Sequence, residues 1–285
     1  MTNTATANPL QKYFRQPKIY LSLPSQGQYY DNNSIDLLEN NEYPVYAMTA
    51  KDEMIIKTPD ALLNGQATVD IIQSCIPNIK NAWNMPSLDV DAALVAIRIA
   101  TYGDMMTLST TTPITEEEKD FELDLKIILE RLITAQYNGT CIMGDLTITM
   151  KPLTYKEFTS VNLKTFEEQR IFAVVNDQDL TEEEKLSQFQ TSFKKLTDLT
   201  VDSIKFSIQS IQIGDDVVTS REHISEFIEN ADKTTFEHIQ NHLQSQKDSF
   251  EIKPMIVDAT DEEITKGVPA SYEVPIAFDQ TNFFA

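Results

Sequence analysis

The strongest constraint on the fold is an apolar run that opens at Ser87 and closes at Gly103. Its larger apolar side chains leave little polar face at the 3.6-residue period of a helix: Leu94, Val95, Ile97 and Ile99. A helix without a polar face has to be covered on all sides. We therefore predict a helix from Ser87 to Tyr102 that forms the core of an N-terminal domain.

The segments before this helix predict extended chain and then short helices. Residues 1–12 are small and polar, and predict a flexible lead. Residues 13–48 carry short aromatic and β-branched runs, turn residues at 24–27 and three prolines that argue against a helix. Short helices are predicted at 51–56 and 69–75, with a further one- to two-turn helix that starts at Pro59 and stops at Asn64-Gly65.

After Gly103 the pattern changes to alternation of apolar and polar residues, which predicts strands. Two strands, 106–110 and 121–125, flank a charged connector, and a helix follows near 126–135. A hairpin is predicted from 140 to 151, with its turn at Gly144-Asp145.

The second half is predicted to be mainly helical. In a capping box, a threonine and a glutamate three residues later satisfy each other's free backbone amides. Such boxes open three predicted helices, near 155–175 (Thr154, Glu157), 182–209 (Thr181, Glu184) and 235–246 (Thr234, Glu237). A further helix near 221–230 follows a small hairpin at Gly214-Asp215.

These elements predict the α+β class: a mixed N-terminal domain with short helices and a β-hairpin, then a mainly helical C-terminal region with small hairpins and an extended tail. The predicted boundaries are 1–12 for the lead, 13–136 for the N-terminal domain, 137–250 for the helical domain and 251–285 for the tail.

The tail has two open interpretations. Prolines at 254, 269 and 275 argue against any helix, and apolar residues alternate with polar or small ones from Tyr272 to Phe278, which predicts an edge strand. Phe283 and Phe284 follow, and both are costly to leave in water. Either the tail folds back onto the C-terminal domain, or it adds to a partner's sheet and inserts these two rings into a pocket.

Net charge limits the partners. The chain carries a net charge of −21 and has a pI near 4.4, which disfavours nucleic acid and anionic membranes. This acidity fits an ordinary hydrated surface, and it also fits a partner with a basic patch. No apolar run reaches membrane-spanning length, and the first residues do not form a signal peptide. Cys75 and Cys141 predict a reducing compartment and two buried thiols.

No residue pattern predicts catalysis, a cofactor, a metal or a small-molecule substrate. His238 and His242 have the spacing of metal ligands on a helix, but the motif lacks the glutamate of a metalloprotease. We expect two solvent-facing histidines there. The segment 48–65 mixes buried-type residues with a charged set that fits either internal ion pairs or a docking surface: Lys51, Asp52, Glu53, Lys57 and Asp60.

Several linked stretches of the first third closely resemble the baseplate hub-subunit family of T-even-type contractile-tailed phages. They are Tyr20-Leu-Ser-Leu-Pro-Ser-Gln-Gly27, Val45-Tyr-Ala-Met-Thr-Ala-Lys-Asp-Glu53, Lys57-Thr-Pro-Asp-Ala-Leu-Leu-Asn-Gly65, Ser74-Cys-Ile-Pro-Asn-Ile-Lys80 and Ala96-Ile-Arg-Ile-Ala-Thr-Tyr-Gly103. The closing Phe278-Asp-Gln-Thr-Asn-Phe-Phe-Ala285 is loosely similar as well.

The resemblance implies a hub component or hub-assembly factor without catalysis, with other phage tail and hub proteins as partners. It would work in the host cytoplasm during assembly and could stay in the virion tail baseplate. Relatives often carry a Cys-x-x-Cys pair where this chain has Leu108-Ser-Thr-Thr-Thr-Pro-Ile114, so we expect no zinc and a hairpin held by packing alone.

The predicted partner-binding residues are the charged set of segment 48–65 together with Phe278, Phe283 and Phe284. The alternative function is a tail-assembly chaperone that holds the tape-measure protein and is absent from mature virions. It is motivated by the acidic, helix-rich second half, which could keep a hydrophobic client soluble.

Overall fold

A computed structural model describes residues 9–57, 65–174, 181–276 and 283–284. Over these residues the chain combines helices with small antiparallel sheets, which confirms the predicted α+β class. None of the helices within these ranges has both the length and the apolar character that a bilayer span requires.

The N-terminal core is built around helix α3. A 3-10 helix, Pro9–Tyr13, takes up the end of the predicted lead, and strands β1 (Pro17–Ser22) and β2 (Glu42–Tyr46) then form an antiparallel pair. Helices α1 (Ala50–Ile56), α2 (Gln66–Cys75) and α3 (Ser87–Tyr102) follow, and the helix predicted to start at Pro59 lies outside the described residues. Helix α3 packs against the β1–β2 pair and α2, and 12 of its 16 residues are buried, as its missing polar face predicts.

The next hairpin joins β3 (Met105–Thr111) to β4 (Glu118–Asp124), and helix α4 (Leu125–Thr134) follows and packs on α3. The expectation that packing alone holds this hairpin is wrong. Two polar pairs cross its exposed face, because Thr107 Oγ1 donates to Glu122 Oε1 at 2.9 Å and Ser109 Oγ donates to Asp120 Oδ1 at 2.6 Å.

A four-stranded sheet unites two hairpins that the sequence predicts separately. Strands β5 (Thr140–Met143) and β6 (Leu146–Met150) form the first hairpin, and β7 (Ile208–Ile213) and β8 (Asp216–Val218) form the second. Antiparallel pairing of β6 with β7 joins them in the order β5-β6-β7-β8. This pairing starts β7 at Ile208, three residues before the predicted Ile211, because residues 208–210 bond to β6.

Long helices connect and cover this sheet. Helices α5 (Tyr155–Val174) and α6 (Glu182–Ser207) form a helical hairpin between β6 and β7. Helices α7 (Arg221–Asn230) and α8 (Lys233–Phe250) then complete a second hydrophobic core, which includes Ile148, Ile208 and Ile239.

Two of the three predicted capping boxes are confirmed. Thr154 and Glu157 cap α5, and Thr181 and Glu184 cap α6. The third is wrong: Asp232 Oδ1 accepts the amide of Thr235 at 2.8 Å, so α8 begins at Lys233 with Thr234 inside it. Aspartate is at least as good an N-cap as threonine, and it comes earlier in the chain.

The tail forms a ribbon with one helical turn. Strands β9 (Met255–Asp258) and β10 (Ser271–Val274) pair antiparallel, and the short helix α9 (Asp261–Thr265) lies between them. The expectation that prolines exclude a helix here is wrong, because α9 fits between Pro254 and Pro269 and has its own capping box, Thr260 with Glu263. The predicted alternation is confirmed over β10, where Tyr272 and Val274 are buried and their neighbours are exposed.

The tail packs on the N-terminal half of the chain. Tyr272 and Val274 form a small cluster with Leu108 of β3 and Phe121 of β4. Two ion pairs join the same regions, Lys119 with Glu263 at 2.5 Å and Lys266 with Glu117 at 2.8 Å. The interpretation that a folded-back tail lies on the C-terminal domain is therefore wrong for these described strands.

Candidate partner-binding surfaces

Helix α1 carries the charged set predicted to bind a partner. Thr49 caps the helix: its amide donates to Asp52 Oδ2 at 2.7 Å, and its hydroxyl accepts from the amide of Asp52 at 3.3 Å. Asp52 is buried, whereas Lys51 and Lys57 are exposed and Glu53 is half-buried. Asp60 lies outside the described residues.

Asp52 holds α1 to its neighbours. Its carboxylate accepts the Ser74 hydroxyl at 3.1 Å and forms an ion pair with Arg15 at 3.6 Å. Arg15 also donates to the carbonyl of Ala47 at 2.8 Å. These contacts fix the position of Lys51 and Glu53, whose binding of a partner stays a prediction.

The last described residues meet α1 and α3 at what we call the C-terminal junction: Glu53, Arg98, Tyr102, Phe283 and Phe284. Arg98 Nε donates to the carbonyl of Phe283 at 2.7 Å. The Tyr102 hydroxyl lies 3.2 Å from the carbonyl of Phe284 and 3.3 Å from Glu53 Oε1. The Arg98 guanidinium lies 4.6 Å from the centre of the Tyr102 ring. Two side-chain donors of α3 thus hold the backbone of the chain end.

The two phenylalanine rings belong to the N-terminal core. Phe283 is 1% exposed and Phe284 is 6% exposed, and their rings pack edge-on with centres 4.9 Å apart. The tail therefore folds back within the chain, onto α3 of the N-terminal half. Whether the rings also serve a partner stays a prediction, and Phe278 lies outside the described residues.

The junction buries a charge. Arg98 is buried, and its Nη1 has no hydrogen-bond partner among the residues that the structure describes. Burial lowers the pKa of Arg98, and the neighbouring Tyr102 opposes this shift. Burial also raises the pKa of Tyr102, with a further contribution from Glu53. Arg98 and Tyr102 thus bind the backbone carbonyls of Phe283 and Phe284.

A second polar site inside the N-terminal core was not predicted. Asp89 of α3 accepts the amide of Ser25 at 2.7 Å, the Ser25 hydroxyl at 2.5 Å and the Tyr30 hydroxyl at 2.9 Å. These bonds pin the predicted 24–27 turn to α3. The turn needs Gly27, which has a φ of +74° and lies against Leu37. The available signal for this site was an aspartate near the start of a helix that has little polar face.

The histidines differ from each other. His238 is exposed as expected, but His242 is half-buried, with its Nε2 2.9 Å from the carbonyl of Asn138, so the expectation of a solvent-facing side chain is wrong for His242. Over the described ranges, no three or more His, Cys, Asp or Glu side chains form a group that could hold a metal ion. Cys75 and Cys141 are free and buried, as predicted, and burial raises the pKa of Cys75 to about 12.

The α5–α6 hairpin carries exposed apolar side chains that the sequence analysis missed. Phe166 is 54%, Leu186 61%, Phe189 44% and Phe193 65% exposed, and Phe158 at the base of α5 is 36% exposed. We call these five residues the hairpin face. Their signal was available in the sequence, because Leu186, Phe189 and Phe193 follow the i, i+3, i+7 spacing of one helix side.

Comparison with known families identifies a match over most of the chain. A family model described as T4 bacteriophage base plate protein matches residues 16–254. The matched range includes α3, the four-stranded sheet and the helical hairpin, and it stops just before β9. Searches of curated proteins and of solved structures found no match.

Proposed function

This chain belongs to the T4 bacteriophage base plate protein family, and from that premise we propose that it is a hub component or hub-assembly factor that acts through protein–protein contacts. The observation that carries the proposal is the family match across most of the chain. Membership in this family makes the chain a phage baseplate protein. For such a protein we infer a structural, non-enzymatic role.

The hub assignment is supported by the linked stretches between Tyr20 and Gly103. They resemble hub subunits in sequence, and their described parts fold together into the N-terminal core around α3. Fold alone would not carry a function. The support comes from the family match and the sequence resemblance together.

The proposed docking region lies on α1 beside the C-terminal junction. Lys51 and Lys57 are exposed there, and Glu53 Oε1 lies 3.3 Å from the Tyr102 hydroxyl. Two lysines on a chain of net charge −21 offer a local attraction for an acidic partner surface. Asp52 would act indirectly, by keeping α1 in place.

Paired variants test this region. Lys51→Glu with Lys57→Glu reverses the local charge, and Lys247→Glu with Lys253→Glu makes the same change in net charge at exposed positions elsewhere. We expect the first pair to reduce co-purification with hub proteins from infected cells about tenfold, and the control pair to leave it unchanged. Equal recovery of both pairs would show that α1 does not dock a partner.

A tail-assembly chaperone for the tape-measure protein is the second candidate. The hairpin face favours it, because a protein that holds a hydrophobic client needs exposed apolar surface. Quantitative mass spectrometry separates the two candidates. A chaperone is recovered with tape-measure protein from infected cells and is missing from virions, whereas a hub component is stoichiometric in virions.

A further inference from the structure

The relative position of the two hairpin helices is set by an ion pair. Lys195 of α6 contacts Glu168 of α5 at 2.8 Å, so these two residues lie at the same level of the antiparallel hairpin. Between the helices, the less exposed positions form one line on each: residues 161, 165 and 168 on α5, and residues 192, 196 and 199 on α6. These lines mark the sides on which α5 and α6 face each other.

Helix geometry then places the hairpin face on one side. Each residue advances about 100° around the axis, so Phe158 and Phe166 lie to one side of the α5 line. Leu186, Phe189 and Phe193 lie to one side of the α6 line. Because the helices are antiparallel, both displacements point to the same broad side of the hairpin. The register leaves Phe166 and Phe193 about four residues' rise apart along the axis, roughly 6 Å.

The same construction separates charged from uncharged residues. On the hairpin face the intervening exposed positions are Asn162, Gln169, Thr197 and Thr200. The opposite side carries the charged side chains Lys164, Glu167, Lys195 and Asp198. Within residues 158–169 and 186–200 the side with the hairpin face carries no charged residue, which is unusual on the surface of a chain whose net charge is −21.

The exposed area of the hairpin face fits a single helix better than a whole domain. A phenylalanine covers about 150–250 Å² when fully buried, so Phe166, Leu186, Phe189 and Phe193 together leave roughly 400 Å² exposed. This is about half of the ~800 Å² per side in a stable interface between whole domains. Pairing with a second copy would bury no more area per chain, and it would bring two chains of charge −21 together. A single helix laid along the hairpin fits the area.

We propose that the hairpin face binds an amphipathic α-helix with basic flanks, contributed by another tail protein. The apolar stripe of the incoming helix packs along Leu186, Phe189 and Phe193, in the manner of a helix in a groove. Its basic flanks are attracted by the acidic chain. This inference rests on the proposed function, since it names the chemistry of one partner.

Binding of a designed peptide tests the proposal. The probe is a fluorescent 21-residue peptide with leucines at helical i, i+3, i+4, i+7 spacing and lysines elsewhere, and a scrambled peptide of the same composition is its control. We expect the helical probe to bind and to gain helicity by circular dichroism. Phe166→Ser with Phe193→Ser keeps the protein's charge and should weaken binding at least tenfold.

Matched variants make the result specific. Lys164→Ala with Asp198→Ala alters the opposite side, also without a change in net charge, and should leave binding within twofold. If the double serine variant fails to fold, Leu186→Ser alone tests the same face. Equal binding by serine and alanine variants, equal binding of the scrambled peptide, or a dimer that the serine change abolishes would each overturn the proposal. Mass spectrometry of tails tests the hub function separately, so the two failures are distinguishable.

Discussion

At the scale of single residues, Asp89 shows what a buried charge contributes. Burial raises the pKa of its carboxyl group to about 6, although Ser25 and Tyr30 donate hydrogen bonds that lower it. The ordinary pKa of aspartate is about 3.9. Between about pH 4 and pH 6 the folded chain therefore keeps a proton that the unfolded chain has released, so the free energy of unfolding falls as pH rises through this window.

Asp89→Asn tests this linkage. Asparagine cannot ionise, so the difference in unfolding free energy between wild type and variant should change by about 2 kcal/mol from pH 4 to pH 7, with wild type losing stability relative to the variant as pH rises. Denaturant titrations at several pH values measure it. Asp248→Asn, at an exposed position of α8, is the control. Parallel pH profiles for wild type and Asp89→Asn would contradict the prediction.

Phe283 and Phe193 form a matched pair at the same scale. Phe283 is 1% exposed in the N-terminal core, and Phe193 is 65% exposed on the hairpin. Truncation of a buried phenylalanine to alanine costs about 3–5 kcal/mol, whereas an exposed change stays within about 0.5 kcal/mol. We expect Phe283→Ala to lower the unfolding free energy by about 3–5 kcal/mol. Phe193→Ala should change it by no more than about 0.5 kcal/mol. Similar losses in urea denaturation would show that Phe283 is not part of the core.

At the scale of elements, the tail is anchored by a capping box and an ion pair at the start of α9. The Lys119 ammonium and the amide and hydroxyl of Thr260 hold the pKa of Glu263 at about 2, well below its usual range. A depressed pKa stabilises the fold at pH values above the unfolded pKa, and this stabilisation is lost as pH falls towards 2. An NMR titration of Lys119→Met should show a higher Glu263 pKa. An unchanged Glu263 pKa in this variant would show that Lys119 does not lower it.

Removal of residues 271–285 tests the whole tail. The deletion takes away β10 and both phenylalanines of the junction, so we expect unfolding or aggregation by size-exclusion chromatography and circular dichroism. A folded, monodisperse protein that no longer joins the hub complex would instead identify the tail as a docking element. A truncated protein that assembles normally would contradict both roles.

Local elements were predictable because their signals are local. The apolar run of α3, the turn at Gly144 and two capping boxes each lie within a short window of sequence, and the structure places helices and hairpins there. Pairing of β6 with β7 was not predictable, because the hairpin of α5 and α6 separates the two strands. The contact of Phe283 with Arg98 spans 185 positions, and nothing near either residue indicates its partner.

At the scale of the whole molecule, the described residues form two main hydrophobic cores, and the N-terminal one includes Phe283 and Phe284. One core includes α3, α4 and the two C-terminal phenylalanines, and the other includes the four-stranded sheet with α7 and α8. We propose that residues 137–250 form a unit inserted between two parts of the N-terminal domain. The C-terminal junction and the hairpin face would then sit on different units, one for each proposed contact.

The presence of this chain in phage tails is the most direct test of its function. Quantitative mass spectrometry of purified tail-assembly intermediates and finished virions measures it, with the known hub proteins as internal standards. A hub component or hub-assembly factor should appear in the intermediates at a fixed ratio to hub proteins, whether or not it stays in the virion. Absence from both the intermediates and the virions would contradict the account.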